Sequence, residues 1–195
     1  DEAIAALEEV QRLAGGTDPQ IDRSLTNTRL RKMDHEIAAL REAGREDEAR
    51  QREQEKDEFI VRDAEERVKK YPNDLQFRYE LGVVLYEHDH LNESIQQFQL
   101  SQRNPQRRID SLYYLALCFK QKSQYDIAME QLEKAASEIH TMDDMKKSIL
   151  YESGLICEAT GQTDKAVSFY KDIYAVDIGY KDVADKIENA YKQSS

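Results

Sequence analysis

The chain has 195 residues, of which 39% are hydrophobic and 34% are charged, and its net charge is −11. These values fit one domain or a run of small repeats, and no apolar stretch is long enough to cross a membrane. The acidic residues are spread evenly, so no basic face could follow a phosphate backbone, which argues against nucleic acid as a partner. Seven glycines and three prolines leave few turns and predict an all-α fold.

The opening segment, residues 1–16, is predicted to be the second helix of a repeat whose first helix is missing. Ala3 would be the small residue of this helix and Leu7 and Val10 its bulky residues, before a Gly-Gly pair ends it at Gly15. Because the first residue is not methionine, we expect the chain to be a fragment of a longer protein, whose targeting segment would not be visible.

Residues 17–71 are predicted to form a long, charged helical hairpin, equivalent to a stretched repeat. Asp18 followed by Pro19 is typical of a helix start, and Gly44 separates the two helices. The first helix carries an apolar seam suited to antiparallel pairing, formed by Leu30, Met33, Ile37 and Leu40. Acidic residues four positions before basic ones predict i,i+4 ion pairs along the second helix. The hairpin could be a solvated arm or a partner-docking or dimerising coiled coil.

Residues 72–177 are predicted to contain three repeats, at about 74–105, 108–140 and 146–177. A shift of 34 residues superimposes Leu81 on Leu115, and a shift of 38 residues continues the match into the third repeat. Each repeat has one small residue in its first helix and another early in its second helix, followed four positions later by a bulky one. These positions hold Gly82, Ser94 and Phe98, then Ala116, Ala128 and Leu132, then Gly154, Ala166 and Tyr170. One hairpin cannot bury its own apolar stripe, so the hairpins should stack.

This pattern resembles the tetratricopeptide repeat, with Leu-Gly, an aromatic, Ala, Phe and Pro in units of 34 residues. The matching residues include Leu81, Gly82, Ser94, Phe98 and Pro105 in the first repeat, Leu115, Ala116, Phe119, Ala128, Leu132 and Ala135 in the second, and Gly154, Gly161, Ala166 and Tyr170 in the third. The Trp of the family is absent. The resemblance implies an all-α, right-handed α-α superhelix, a tetratricopeptide-like solenoid of antiparallel helical hairpins with a protein-binding role.

The last segment, residues 178–195, is predicted to be a capping helix that closes the open end of the solenoid. Val183, Ile187 and Tyr191 lie on one stripe of this helix, with polar residues opposite.

No set of residues points to catalysis, a cofactor or a metal. His88, Asp89 and His90 contain potential ligands, but no further ligand lies at a supporting spacing, so we interpret them as a bend followed by a helix capped by Asn92. Cys118 and Cys157 lie at similar places in successive first helices and are expected to be buried small hydrophobes. The chain is therefore expected to be non-enzymatic.

The first helices supply the candidate binding site. In each first helix a tyrosine stands two positions before the Leu-like residue, and an aliphatic residue follows four positions after that tyrosine. In stacked hairpins the first helices line the concave surface. The candidate peptide-binding residues are Tyr79, Val83, Tyr86, Tyr113, Leu117, Lys120, Tyr151 and Leu155. Tyrosine suits both peptide contact and packing between helices, and both interpretations stay open.

The expected partner is a protein or peptide of apolar or aromatic character. Family members that bind acidic chaperone tails place Lys and Asn at the Tyr and aliphatic positions, and those residues are absent here. Two alternatives stay open: a structural module that self-associates through the long N-terminal hairpin, and a regulatory module of a larger protein with an upstream anchor or enzyme. Two cysteines slightly favour the cytoplasm, and a periplasmic or membrane-anchored full-length protein stays open.

Overall fold

The structure, a computed structural model, describes residues 1–193 and contains ten α-helices and no β-strand within that range. The helices are α1 (Glu2–Leu13), α2 (Pro19–Glu42), α3 (Glu46–Lys70), α4 (Leu75–Glu87), α5 (Leu91–Ser101), α6 (Arg108–Gln121), α7 (Tyr125–Glu138), α8 (Asp144–Ala159), α9 (Thr163–Tyr174) and α10 (Val183–Gln193). The all-α prediction is confirmed. No helix in the described range has the length and apolar character needed to span a bilayer.

The chain divides into two compact units, one up to Asp89 and one from His90 onward. The first unit contains α1–α4, and its α2–α3 hairpin begins as expected, because the Asp18 carboxylate accepts hydrogen bonds from the backbone N–H groups of Gln20 and Ile21. The buried hydrophobic residues of this hairpin are Leu25, Ile37, Ala49 and Ala64. Ala64 also packs with Leu81 and Leu85, which join α4 to the hairpin.

Ion pairs connect α2 and α3 along the long hairpin. Arg41 contacts Glu53 at 2.7 Å, Arg52 contacts Glu36 at 2.6 Å, and Lys56 contacts Asp34 at 2.5 Å. Of the apolar seam of α2, Ile37 is buried, whereas Leu30, Met33 and Leu40 are half-buried. Whether the hairpin also supports self-association stays a prediction.

The predicted i,i+4 ion pairs of α3 are only partly present. Asp63 pairs with Arg67 at 2.9 Å and Glu65 with Lys69 at 3.8 Å, as expected. The partner expected for Lys70 was Glu66, but its ammonium contacts Asp22 on α2 at 2.5 Å instead. Asp22 is 9% exposed whereas Glu66 is exposed. The buried carboxylate of Asp22 has the greater need of a cation, which favours its pairing with Lys70.

The same turn recurs between helices of four successive hairpins. The residue after each C-cap has a positive φ, namely Gly44 (71°), Asp89 (62°), Ser123 (57°) and Gly161 (73°). The N–H of each donates to the carbonyl three residues earlier, over 2.9–3.1 Å. The bend predicted at His88–Asp89–His90 is confirmed. The predicted cap was wrong: α5 begins at Leu91 with His90 as its N-cap, and Asn92 lies inside the helix.

The second unit contains α5–α10 and two core clusters formed by the repeat positions. One cluster joins α6, α7 and α8 through Leu112, Ala116, Ala128, Leu132, Ala135, Ile149 and Ile156. The other joins α8, α9 and α10 through Leu150, Cys157, Ala166, Tyr170, Ile173 and Val183. In α10, Val183 is fully buried and Ile187 half-buried, whereas Tyr191, expected on the same stripe, is 56% exposed.

Candidate functional site

In the first unit, the candidate residues of α4 form a strip apart from its buried face. Tyr79, Val83 and Tyr86 are spaced four and three residues apart, so they lie on one side of the helix, and each is half-buried. The buried positions Phe77 and Leu81 lie on the opposite side. The strip is thus distinct from the residues that form the core of this unit.

In the second unit, the candidate residues lie on α6 and α8. Tyr113 and Leu117 on α6, and Tyr151 and Leu155 on α8, are all half-buried. The two helices are joined by an ion pair between Lys120 Nζ and Glu152 Oε2, 2.6 Å apart.

The pairing partner of Lys120 was not anticipated from the sequence. Glu152 is only 8% exposed, so its carboxylate is largely removed from water and needs a cation. The Lys120 ammonium therefore has a structural partner within the second unit. This contact ties the two leading helices together beside Tyr151.

Tyr151 is covered by the segment that precedes α10. Its hydroxyl donates a hydrogen bond to Asp182 Oδ1 over 2.7 Å, and Lys181 Nζ lies 4.0 Å from its ring centroid. The ring of Tyr180 meets it edge-on, with centroids 6.0 Å apart. Burial, with the hydrogen bond to Asp182, raises the pKa of Tyr151. Sequence reasoning missed these contacts because it placed all three residues in the capping helix 178–195, whereas α10 begins only at Val183.

Further polar contacts bind the C-terminal segment along α8. Lys147 pairs with Asp177 at 2.8 Å, and its ammonium holds the pKa of that carboxyl below the ordinary value. Farther along α8, Glu158 pairs with Lys186 at 2.8 Å. The segment therefore follows α8 in the same direction along its length.

Neither cysteine is suited to chemistry. Cys118 and Cys157 are free and buried, and burial raises the pKa of both thiols, which suppresses the reactive thiolate. The Sγ of Cys118 lies 3.5 Å from the hydroxyl of Ser94. The prediction that both behave as small core residues is confirmed. Among residues 1–193, no three His, Cys, Asp or Glu side chains are grouped to hold a metal.

Sequence reasoning also missed a buried charged network around Asp22. Asp22 is 9% exposed and accepts hydrogen bonds from Lys70 Nζ and the Tyr71 hydroxyl, each over 2.5 Å, and from the Gln11 amide. These donors come from α1, from α3 and from the residue after α3. The network therefore holds three elements of the first unit on α2 and has a structural role.

A second part of this network surrounds Phe77. The guanidinium groups of Arg23 and Arg67 lie 4.9 and 5.1 Å from its ring centroid. Both arginines pair with the carboxylate of Glu80 on α4, at 3.1 and 2.6 Å. These contacts fix α4, and with it the Tyr79 strip, on the α2–α3 hairpin.

No protein-family model matches this sequence, and comparison with curated proteins gives no match. Several solved structures superpose on this chain. YrrB, described as "a TPR protein with an unusual peptide-binding site", superposes with a TM-score of 0.63 over 98% of this chain and 85% of its own, at 14% identity. The fold is that of tetratricopeptide-repeat proteins. The family resemblance of the sequence is thereby confirmed at the level of fold.

Other solved structures give similar results. MamA matches with a TM-score of 0.60 at 18% identity, over 81% of this chain and 84% of its own. A putative kinesin light chain of Podosopora anserina with nearly identical TPR-like repeats matches with a TM-score of 0.56 at 17% identity, over 85% of this chain and 87% of its own. At these identities the likeness defines the tetratricopeptide-repeat fold and leaves the binding partner to be inferred from the residues of this chain.

Proposed function

We propose that this chain is a non-enzymatic protein-interaction scaffold that holds an apolar or aromatic peptide or helix against the leading helices of its hairpins. The observation that carries the proposal is the strip of Tyr113 and Leu117 on α6. Both side chains are half-buried, whereas Leu112, Leu115 and Ala116 of the same helix are buried in the core. Tyr113 packs partly against this core, and both side chains of the strip still keep part of their surface exposed.

The same chemistry at equivalent positions supports this role. Tyr79 and Val83 on α4, and Tyr151 and Leu155 on α8, repeat the Tyr-aliphatic pair at equivalent positions of the sequence, and all are half-buried. Tyrosine contributes a large contact area with few rotatable bonds and a hydroxyl that can bind a peptide group, so it is favoured at protein interfaces. In α8, however, the segment before α10 already contacts Tyr151, so the α6 strip is the stronger candidate for a partner.

The charges favour an apolar partner over an acidic tail. The candidate lysine, Lys120, is neutralised by Glu152 at 2.6 Å, so its ammonium would have to leave a largely buried carboxylate in order to bind a ligand carboxylate. The net charge of −11 also repels acidic ligands. The structural relative YrrB is described as having a peptide-binding site, so this fold is compatible with a peptide ligand.

The test is a fluorescence-based screen of a peptide array in which Leu, Phe and Tyr are placed at helical spacing, with acidic C-terminal tails as comparison peptides. The variant Tyr113→Ala/Leu117→Ser removes the α6 strip. A matched control, Tyr174→Ala/Ile178→Ser, makes the same chemical change at two exposed positions of the second unit, where the side chains are 40% and 65% exposed. Helicity and the urea midpoint are measured for each protein.

We expect the strip variant to lose binding to apolar peptides while the control variant retains it, with helicity unchanged in both. Equal binding by both variants, or a preference of the natural chain for acidic tails, would overturn the proposal. Loss of helicity in the strip variant alone would identify Tyr113 and Leu117 as packing residues, which also overturns it.

A further inference from the structure

The second unit contains an open cleft on the side formed by its second helices. The cleft has a volume of about 360 Å³ and lies between α7, the C-terminal part of α8 and the start of α9. Its apolar lining comes from Tyr125, Met129, Ile156, Cys157 and Phe169. The volume lies in the range of small-ligand sites, which is enough for one large apolar side chain.

One rim of this cleft is acidic. Asp126, Glu130 and Glu133 are spaced four and three residues apart, so they lie on one face of α7, and all three line the cleft and are exposed. Lys165, the one base among the described residues that line the cleft, stands on α9 and donates to Gln162 over 2.7 Å. Glu130 pairs with Lys134 at 2.7 Å. An acidic edge beside an apolar floor selects a ligand that combines an apolar group with positive charge.

We propose that this cleft binds a short basic peptide that inserts one apolar side chain between α7 and α9 and places flanking Lys or Arg residues on the acidic rim. The buried apolar anchor would supply most of the affinity, and the charges at the rim would select and orient the peptide. A second copy of this chain is a poor occupant, because it would bring a net charge of −11 to an acidic rim.

The site is separate from the α6 strip in both position and chemistry. Its lining residues lie on α7, on α9 and on α8 from Ile156 onward, and none of them belongs to the candidate set on the leading helices. The two surfaces can therefore be tested independently, and failure of one proposal does not affect the other.

The experiment measures fluorescence anisotropy with three labelled hexapeptides. The probe is Lys-Arg-Leu-Phe-Arg-Lys, and the comparison peptides are Glu-Asp-Leu-Phe-Asp-Glu, which reverses the charges, and Lys-Arg-Ser-Ser-Arg-Lys, which removes the apolar anchor. The variant Asp126→Lys/Glu133→Lys reverses the rim, and Lys165→Glu makes the cleft more acidic. The control Glu42→Lys/Glu58→Lys makes the same change in net charge at exposed positions of the first unit.

We expect the probe to bind the natural chain and the comparison peptides to bind weakly. Rim reversal should weaken probe binding by about tenfold, and Lys165→Glu should strengthen it by roughly threefold. The Glu42/Glu58 control and the Tyr113/Leu117 variant should leave the dissociation constant unchanged.

Absence of probe binding, equal binding of the Ser-Ser peptide, or an equal loss in the Glu42/Glu58 control would overturn the proposal. If rim reversal reduces helicity, the Lys165→Glu variant decides the outcome, because an unchanged or weaker affinity there contradicts the proposed electrostatics.

Discussion

Gly154 on α8 and Tyr170 on α9 approach so closely that no side chain fits at residue 154. A Cβ placed on Gly154 would lie 2.3 Å from Cε1 and 2.6 Å from Cζ of Tyr170, and both distances are well below a van der Waals contact. The equivalent pair in the preceding hairpin is Ala116 and Leu132, both buried in one core cluster. In these two hairpins the smaller residue at the small position accompanies the larger residue at the bulky position.

This relationship predicts the effect of exchanging the pair. Gly154→Ala should lower the free energy of unfolding by about 1–3 kcal/mol, because the tightly packed tyrosine ring must shift. The double variant Gly154→Ala/Tyr170→Leu, which copies the Ala116–Leu132 pair, should recover part of this loss. Urea unfolding of both single variants and the double variant completes a double-mutant cycle. Strict additivity would show that the two sites do not share their packing space.

The network at Asp22 predicts a large effect from one carboxylate. Asp22→Ala would remove the buried carboxylate that accepts hydrogen bonds from Lys70 and the Tyr71 hydroxyl and joins three elements, so the free energy of unfolding should fall by about 2 kcal/mol. Asp47→Ala is the control, because the Asp47 side chain is 97% exposed and pairs only at the surface. Urea unfolding should show no measurable change for the control. Similar midpoints for the two variants would contradict a structural role for the network.

The shared turn between paired helices predicts opposite effects of glycine at two sites. Ser123 has φ of 57°, which strains an L-residue, so Ser123→Gly should raise the free energy of unfolding by about 1 kcal/mol. Gly161 occupies the same turn position with φ of 73°, and Gly161→Ser should lower it by a similar amount. Thermal unfolding measures both. A destabilising Ser123→Gly variant would mean that the serine side chain makes a contact worth more than the backbone strain.

The half-buried Tyr151 and the buried Tyr170 predict a loss of stability at alkaline pH. The pKa of Tyr151 lies above its ordinary value of 10.0 because of burial and the hydrogen bond to Asp182, and burial likewise raises that of Tyr170. The folded state keeps these protons when the unfolded state loses them. The stabilisation is therefore complete below about pH 10 and is lost as the pH rises above it.

The measurement is the urea midpoint from about pH 8 upward, together with the tyrosinate absorbance of the folded protein. Tyr151→Phe should make the midpoint fall less steeply at alkaline pH, and Asp182→Asn should lower the pH at which Tyr151 ionises. Tyr174→Phe is a control, since the Tyr174 side chain is 40% exposed. Identical alkaline slopes for the Tyr151 and Tyr174 variants would show that the Tyr151 proton is not linked to folding.

Local and periodic features of the fold could be predicted from the sequence. Asp18 caps α2, Gly44 and Gly161 occupy turns with positive φ, and Ala128 and Ala166 are buried where their helices face the preceding ones. Each of these outcomes depends on signals within a few residues or on helical spacing. Backbone conformation and side-chain volume act at that range, so the sequence by itself determined the helices, their turns and the residues of the repeat core.

For polar side chains that pair between different elements, the tertiary structure alone decided the partner. Lys70 could pair with Glu66 one turn away but contacts Asp22, and Tyr151 is bound by Asp182, which lies in a connection 31 residues later. The cleft beside Met129 likewise exists only because three helices meet there. Several partners of equal chemistry compete for each charge, and the choice depends on distances of a few ångströms and on burial, which arise only when the helices have packed.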